Sequence, residues 1–242
     1  DAFENTLYGR ELNAESYNIP LFEQCTEISA YNKPRVALTF DALDNADGLT
    51  PILASLNRYG IKSTFFINGE FVRRFPTGVN EIIKAGHQCG SMFFSPYSLD
   101  DDAFKFTETF IRRGLARNED DFYELTGSEL SLVWHMPSYY LTDSILKAGE
   151  KSGYIWIDKG LAPEDYITYE KSLEDEIQYM STSQIIDYLM ENLEPGAIIP
   201  ISVGIASGTR GDYLYDKLDV LISGILSEGY EIVTVSELFN LE

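Results

Sequence analysis

The sequence has little positive charge and few histidines. There are 18 Lys and Arg against 39 Asp and Glu, a net charge of −21, and two His. Such an acidic surface repels phosphate backbones and anionic lipid head groups, which argues against nucleic-acid and membrane-surface roles. Solubility alone accounts for this charge, and a cationic partner such as an amino-sugar polymer would also be attracted by it.

Cysteine is scarce as well, and long apolar runs are absent. Cys25 and Cys89 could form one disulfide, or Cys89 could remain a buried free thiol in an apolar strand. The longest apolar stretches, such as residues 196–203, are too short to span a bilayer, so we expect no membrane span. No signal peptide is visible ahead of Asp1, which fits a mature exported protein or a trimmed chain.

No linker, repeat or low-complexity stretch divides the 242 residues, and one domain of this size can bury a large core. Residues 1–34 mix polar and aromatic side chains without a clear period. We expect them to form an N-terminal extension that packs on a single domain at 35–242.

From Pro34 onward, short apolar runs alternate with segments of helical periodicity. Alternation of this kind implies parallel strands joined by right-handed crossovers, and seven strands suit a closed or nearly closed α/β barrel better than an open sheet. The predicted strands are 36–40, 64–67, 87–91, 132–134, 154–157, 197–201 and 231–235. The predicted helices are 48–59, 72–85, 100–116, 142–151, 183–193 and 214–227.

Ligands of such folds bind at the carboxyl ends of the strands. In this sequence, five residues occupy or follow those ends and are the first candidates for a site: Asp41, Met92, His135, Asp158 and Ser202.

Four segments, in order, carry a family resemblance: VALTFD at 36–41, KSTFFING at 62–69, AGHQCG at 85–90 and SEGYEIVTVSEL at 227–238. They resemble the polysaccharide deacetylases of carbohydrate esterase family four, the NodB-homology fold, over about residues 35–238. The resemblance implies a distorted (β/α)7 TIM-like barrel, a polysaccharide partner of the N-acetylglucosamine type and an extracytoplasmic location.

The same resemblance implies a divalent metal, such as zinc, held by one aspartate and two histidines. This metal polarises the acetamide carbonyl and acidifies a water molecule. The matching positions here are Ala42, Met92 and Pro96, and none of them offers a ligand that suits zinc. We therefore expect no metal cofactor and no metal-dependent N-deacetylation.

The remaining catalytic positions are only partly kept. Asp41 stands where the family has its base, and Ser202 stands where it has a histidine acid, although serine is a poor acid near neutral pH. His135 replaces the arginine that pairs with the base, so Asp41 and His135 could meet as a carboxylate–imidazole pair.

Two other arrangements stay open. Asp44 and Asp47 could rebuild a metal site with Asp41, but aspartates at such positions often cap helices. His87 could add a donor, although its position favours a structural hydrogen bond. A nucleophilic triad of Asp41 and His135 with Ser138 or Ser202 has the right residue types, but no nucleophile turn of the Gly-x-Ser-x-Gly kind is present.

Aromatic residues crowd the predicted strand ends, and aromatic faces suit the apolar faces of sugar rings. As a group they predict at least a partial sugar platform, although each one singly favours the core: Phe93, Phe94, Tyr97, Trp134, Tyr139, Tyr140 and Trp156. The expected ligand-binding residues are Phe93, Trp134, Ser138, Tyr139, Asp158 and Ser202.

The leading hypothesis is a glycan-binding protein without catalysis. The alternatives are an enzyme with altered chemistry, and a scaffold whose old cleft is filled by bulky side chains.

Overall fold

The structure of the protein is a computed structural model that describes residues 33–96, 107–174, 177–204 and 210–241. The expected N-terminal extension lies almost wholly outside the described residues, so the domain boundary at residue 35 stays a prediction. Cys25 and Tyr97 also lie outside them.

The described residues form a curled parallel sheet. Its strands are β1 (Arg35–Ala42), β2 (Thr64–Ile67), β3 (Gln88–Ser91), β4 (Val133–Trp134), β5 (Ile155–Trp156), β6 (Ile198–Ser202) and β7 (Glu231–Val233). Every strand pair is parallel, the order is β5-β4-β3-β2-β1-β6, and β7 pairs with the start of β1. The sheet curls, but among the described residues no hydrogen bonds join its two edge strands, β5 and β6. It is therefore a distorted, partly closed barrel. The predicted α/β (β/α)7 fold class is confirmed.

Helices follow the strands, and some of them begin at a side-chain cap. They are α1 (Leu49–Tyr59), α2 (Gly69–Arg74), α3 (Pro76–Lys84), α4 (Glu108–Thr126), α5 (Asp143–Lys151), α6 (Tyr169–Glu174), α7 (Thr182–Glu191), α8 (Leu218–Ser227) and α9 (Val235–Phe239). The side chains of Thr107, Thr142, Ser181 and Thr234 each accept a hydrogen bond from a backbone N–H of the first turn that follows. Among the described helices, none is both long enough and apolar enough to span a membrane.

Three helix predictions were wrong in their bounds. The helix predicted at 72–85 is two helices, because Pro76 starts a new one and cannot continue the old one. The helix predicted at 100–116 is α4, which begins at the Thr107 cap and ends at Gly127 in a left-handed conformation. The end of the helix predicted at 214–227 is right, but residues 214–217 form a 3₁₀ turn.

The two faces of β1 have different surroundings because strand side chains alternate. Val36, Leu38, Phe40 and Ala42 belong to the large core between the sheet and the helices. On the other face, Ala37 belongs to a smaller core inside the barrel, with Phe66, Met92, Val133, Ile157, Ile198 and Val233. By alternation, Asp41 points into the barrel at the end of this apolar interior. The fold thus places one carboxylate at the carboxyl end of the central strand.

Candidate functional site

The carboxylate of Asp41 is enclosed by two side chains from the segment after β4. Tyr139 donates its phenol hydrogen to Asp41, with Oη 3.1 Å from Oδ2 and 3.3 Å from Oδ1. Nε2 of His135 lies 3.3 Å from Asp41 Oδ1. Because the Asp41 side chain is 18% exposed, these contacts replace most of the water that would solvate it. The structure therefore brings together the two residues that the sequence proposed as a pair, and adds Tyr139.

His135 is buried and held on both faces. Its ring stacks on that of Tyr139, with centroids 4.1 Å apart, and packs against the ring of Phe66 in an edge-on arrangement, with centroids 4.4 Å apart. Nδ1 lies 2.9 Å from the carbonyl oxygen of Met136, which can only accept, so Nδ1 carries a hydrogen. Nε2 has no hydrogen bond of good geometry among the described residues, although Asp41 is close. The imidazole is thus oriented by the backbone and faces the carboxylate.

The turn that inserts Tyr139 is strained. Ser138 and Tyr139 are consecutive non-glycine residues with φ values of 57° and 54°. Phe93 after β3 and Glu164 after β5 also have positive φ. Left-handed conformations of this kind cost about 1–3 kcal/mol each, and they concentrate at functional sites. Phe93, Ser138 and Tyr139 lie within about five residues of a strand end, which marks this end of the barrel as the specialised one.

The phenol of Tyr139 fills the space beside Asp41. Burial, followed by the charge of Asp41, raises the pKa of Tyr139 well above its ordinary value. The phenol therefore stays protonated and remains a hydrogen-bond donor to the carboxylate. Instead of presenting a free ring to a ligand, Tyr139 belongs to the closed group formed with Asp41 and His135.

A second carboxylate, Asp165, was missed by the sequence analysis. Its Oδ1 accepts from the hydroxyl of Ser202 at 2.8 Å, and its Oδ2 accepts from the Ser202 backbone N–H at 2.9 Å. Asp165 is 5% exposed, and burial raises its pKa to about 6, against the lowering effect of these hydrogen bonds. Ser202 pairs in register with Asp41, so both carboxylates serve the same end of the barrel. The only sequence signal was an aspartate in the loop after β5.

Asp158 and Ser138 occupy the outer part of the same end. Both are exposed, and the Asp158 carboxylate accepts a hydrogen bond from the backbone N–H of Lys159 at 2.8 Å. The carboxylate that contacts Ser202 is not that of Asp158 but that of Asp165, seven residues further along the chain.

The expected sugar platform is largely core. Phe93 and Trp134 are fully buried, and both pack on helix glycines. A Cβ atom at Gly114 of α4 would lie 2.2 Å from the Phe93 ring, and one at Gly149 of α5 would lie 2.4 Å from the Trp134 ring. The two glycines let the helices approach the sheet closely enough to cover these rings. Phe93 and Trp134 cannot stack on a sugar in this arrangement, which corrects their assignment as ligand-binding residues.

The positions that the resemblance assigns to metal ligands do not fit a metal ion. Ala42 lies in the helix-side core and Met92 lies in the barrel interior, both buried, and Pro96 is partly buried. None of these side chains has an oxygen or nitrogen donor, and zinc sites draw most of their ligands from such atoms or thiolates. Across the described ranges, no group of three His, Cys, Asp or Glu side chains is arranged to hold a metal.

Within the part of the chain that the structure describes, no metal site is rebuilt beside Asp41, and Ser202 does not complete a triad with His135. Asp47 is exposed and bonds to Asn45, and Gly48, not an aspartate, caps α1. The hydroxyl of Ser202 donates to Asp165, whereas the ring of His135 faces Met136 and Asp41, so these two residues do not form a nucleophile–base pair.

The structural hydrogen bond expected for His87 is confirmed: its Nδ1 accepts from the Ser63 backbone N–H at 3.3 Å. Burial, and then the charge of Lys62, lowers the His87 pKa to about 4. Cys89 is a buried free thiol, and burial raises its pKa to about 12.

A groove of about 540 Å³ lies between α4 and α5, away from the strand ends. Its lining includes Arg112, Arg113, Glu119 and Lys151. Lys151 and Arg112 pair with Glu108 at its edge, so charges of both signs are present. The strained turns and the enclosed carboxylates lie instead at the carboxyl ends of the strands, around Asp41. That end of the barrel therefore remains the candidate functional site.

A parallel (β/α) barrel with polar side chains gathered at the carboxyl ends of its strands defines a class of protein that binds ligands at that end. The family is set by comparison: the polysaccharide deacetylase model matches residues 29–156. This is more than half of the chain, and the protein belongs to the polysaccharide deacetylase family.

Curated relatives agree. A peptidoglycan-N-acetylglucosamine deacetylase from Bacillus cereus is 26% identical over 213 residues, covering 87% of this chain and 70% of the relative. The peptidoglycan-N-acetylmuramic acid deacetylase PdaA of Bacillus subtilis is 24% identical over 234 residues, covering 95% of this chain and 79% of the relative.

Solved structures share the fold. The Bc1960 peptidoglycan N-acetylglucosamine deacetylase superposes with a TM-score of 0.72 at 25% identity, over 88% of this chain and 91% of that one. A CE4 family pseudoenzyme from Bacillus anthracis superposes with a TM-score of 0.69 at 19% identity, over 86% of this chain and 66% of that one.

Proposed function

We propose that this protein binds an N-acetylglucosamine-type polysaccharide of the cell envelope and does not perform the metal-dependent N-deacetylation of its family. The observation that carries the proposal is the environment of Asp41. Its carboxylate is held by Tyr139 and His135, while Ala42 beside it points into the helix-side core. Family membership supports a polysaccharide ligand.

The chemical argument concerns the missing donors. A divalent metal lowers the pKa of bound water from 15.7 to about 7, and this supplies the nucleophile in metal-assisted hydrolysis. At Ala42, Met92 and Pro96 the chain offers a methyl group, a thioether and a pyrrolidine ring. Without oxygen or nitrogen donors there, the family reaction has no source of hydroxide near neutral pH.

The proposed location and organisation follow from the proposed ligand. Relatives act on peptidoglycan, as their names state, so an extracytoplasmic position would give this protein access to such a polymer. We propose that residues 35–242 form the binding domain and that residues 1–34 pack on it.

The test combines a binding and a turnover measurement on the full chain. Isothermal calorimetry with an N-acetylglucosamine tetramer should give saturable binding. Acetate release from the same tetramer with added zinc or cobalt should stay at the background rate. The Bacillus cereus deacetylase relative serves as the positive control for turnover, and metal analysis of both proteins should find zinc only in the relative.

Two results would contradict the proposal. Zinc-dependent acetate release that Asp41→Asn abolishes would make this protein a working deacetylase. Absence of both binding and turnover would make it a scaffold, with its old cleft filled by side chains such as Tyr139.

A second candidate, hydrolysis of an acyl group by altered chemistry, is favoured by the pair formed by Ser202 and Asp165. A carboxylate with a pKa of about 6 is a better base than an ordinary aspartate, and it already accepts the serine hydrogen at 2.8 Å. In this reaction, Ser202 Oγ would attack the acyl carbon as its proton passes to Asp165. The bond from the acyl carbon to the leaving alcohol or amine would then break, and the leaving group would take that proton from Asp165. Water would later hydrolyse the acyl-serine, which releases the carboxylic acid and restores the serine hydroxyl. Labelling by a fluorophosphonate that Ser202→Ala removes would support this candidate, and unlabelled wild-type protein would exclude it.

A further inference from the structure

Three tyrosines on the loop between β5 and α7 lie outside the enclosed group at Asp41. Tyr166 and Tyr169 are 45% and 60% exposed, and α6, which starts at Tyr169, has no buried residue. Tyr179 lies beside Tyr169, with the centroids of the two rings 6.3 Å apart in an edge-on arrangement. We call Tyr166, Tyr169 and Tyr179 the tyrosine rim.

The tyrosine rim is anchored to the strand ends. Asp165, next to Tyr166, is bonded to Ser202 at the end of β6. The buried guanidinium of Arg210 donates to the carbonyl oxygens of Ile167, Met180 at 2.6 Å and Asp212 at 3.1 Å. One arginine thus ties both ends of the loop to the segment after β6. A loop held this way can present its rings with little ordering cost on binding.

Cations already lie over two of these rings. The Arg210 guanidinium is 4.8 Å from the centroid of Tyr179, and Lys171 Nζ is 5.3 Å from the centroid of Tyr166. These distances are within the range of cation–π attraction. For Tyr169, the most exposed of the three rings, the described residues place no cation over its face.

The loop also carries excess negative charge. Residues 158–174 hold five carboxylates and two lysines. Lys159 pairs with Glu164 at 3.4 Å, and Lys171 lies over Tyr166. By formal charge this stretch is therefore negative, which favours a cationic ligand over an anionic one.

We propose that the tyrosine rim binds a polysaccharide with free amino groups, such as a partly de-N-acetylated glucosamine polymer. An ammonium group of the sugar would lie over the face of Tyr169, near the loop carboxylates, and the apolar face of the next ring would pack against the rim. This inference rests on the proposed function and names the form of the glycan that is preferred. Such a ligand is the product of N-deacetylation, so it must be supplied by a separate enzyme that performs this reaction.

The experiment compares a glucosamine tetramer with an N-acetylglucosamine tetramer by calorimetry on the full chain. At low salt, we expect the glucosamine tetramer to bind about ten-fold more tightly, and the preference to shrink at 0.5 M salt because charge attraction is screened. Tyr169→Ala should weaken glucosamine binding about three- to ten-fold, whereas Tyr169→Phe, which keeps the ring face, should retain it. Tyr123→Ala, at a tyrosine of α4 with 56% exposure, is the matched control and should change nothing.

The outcomes separate this inference from the proposed function. Equal or tighter binding of the acetylated tetramer would overturn the inference and leave the proposed function standing. Binding of neither tetramer would overturn both. A glucosamine preference that Tyr169→Ala leaves intact would overturn the assignment to the tyrosine rim.

Discussion

Aromatic residues near the strand ends fall into two regions with different exposure. Phe93 and Trp134 are covered by α4 and α5, and Tyr139 is held by Asp41 and His135. On the loop after β5, Tyr166 and Tyr169 remain exposed. Rings that directly follow a strand are drawn into the core because barrel and helices pack closely there, whereas rings on a longer surface loop stay available to a ligand.

The largest expected effect tests the buried region. Trp134→Ala should reduce the free energy of unfolding by about 3–5 kcal/mol, because it leaves a cavity between β4 and α5. Urea unfolding followed by circular dichroism measures this loss. Leu132→Ala, two residues earlier and 50% exposed, is the matched control and should cost about 1 kcal/mol or less. If Trp134→Ala cost no more than this control, the ring would not be a core residue.

The next effect concerns Asp165 and pH. Its pKa is about 6 in the folded protein and 3.8 in its ordinary state, so the folded state binds more protons between these values. The resulting stabilisation is complete below about pH 4 and is lost as the pH rises through 6, about 3 kcal/mol in all. In the wild type this titration should lower the free energy of unfolding by about 2 kcal/mol between pH 4 and 7, and Asp165→Asn should remove that part of the loss.

Urea unfolding at several pH values provides the measurement. Asp158→Asn, at the exposed carboxylate seven residues earlier, is the control and should keep the wild-type slope. Parallel pH profiles for the wild type and Asp165→Asn would refute the role of this buried carboxylate.

A smaller effect probes the enclosed group. Tyr139→Phe removes one donor from the partly buried carboxylate of Asp41 and should cost about 1–2 kcal/mol of stability. The cost should shrink in an Asp41→Asn background, because the neutral side chain has no charge for the phenol to stabilise. Thermal unfolding of the wild type, the two single variants and the double variant measures this coupling. Additive losses in the double variant would mean that the phenol and the carboxylate do not interact.

The smallest effect on stability is expected in the exposed region. Tyr169→Ala should change the free energy of unfolding by no more than about 0.5 kcal/mol, because α6 buries no side chain. Differential scanning calorimetry beside Tyr123→Ala gives the comparison. A loss as large as that of Trp134→Ala would mean that the tyrosine rim is structural, and its effect on binding would then be indirect.

Much of the scaffold could be predicted from the sequence. Apolar runs located the seven strands to within one or two residues, and the helix predicted at 142–151 matches α5 to within one residue. The family was also recognised from four short segments. These features are local, since strand periodicity and capping depend on neighbouring residues.

The arrangement of the site was predicted less well. Asp41 and His135 were expected to meet because the family resemblance puts His135 in place of the arginine that pairs with the base, and the structure brings the two side chains to 3.3 Å. Asp165 was missed because it lies in a loop without periodicity, and the helix now assigned to Glu108–Thr126 was placed about ten residues too early. Phe93 and Trp134 were assigned to a partial sugar platform because aromatic residues crowd the predicted strand ends. The sequence did not show that Gly114 and Gly149 let the next helices approach closely enough to cover these two rings.

By itself, the sequence determined the parallel α/β barrel, the single carboxylate at the end of β1 and the residues at the other strand ends. Tertiary structure alone decided which aromatic rings are buried and which carboxylate holds Ser202. The contacts that settle these questions join residues far apart in the chain, 98 positions for Tyr139 and Asp41 and 37 for Ser202 and Asp165. They depend on how closely helices and loops pack on the sheet, and this packing leaves no local pattern in the sequence.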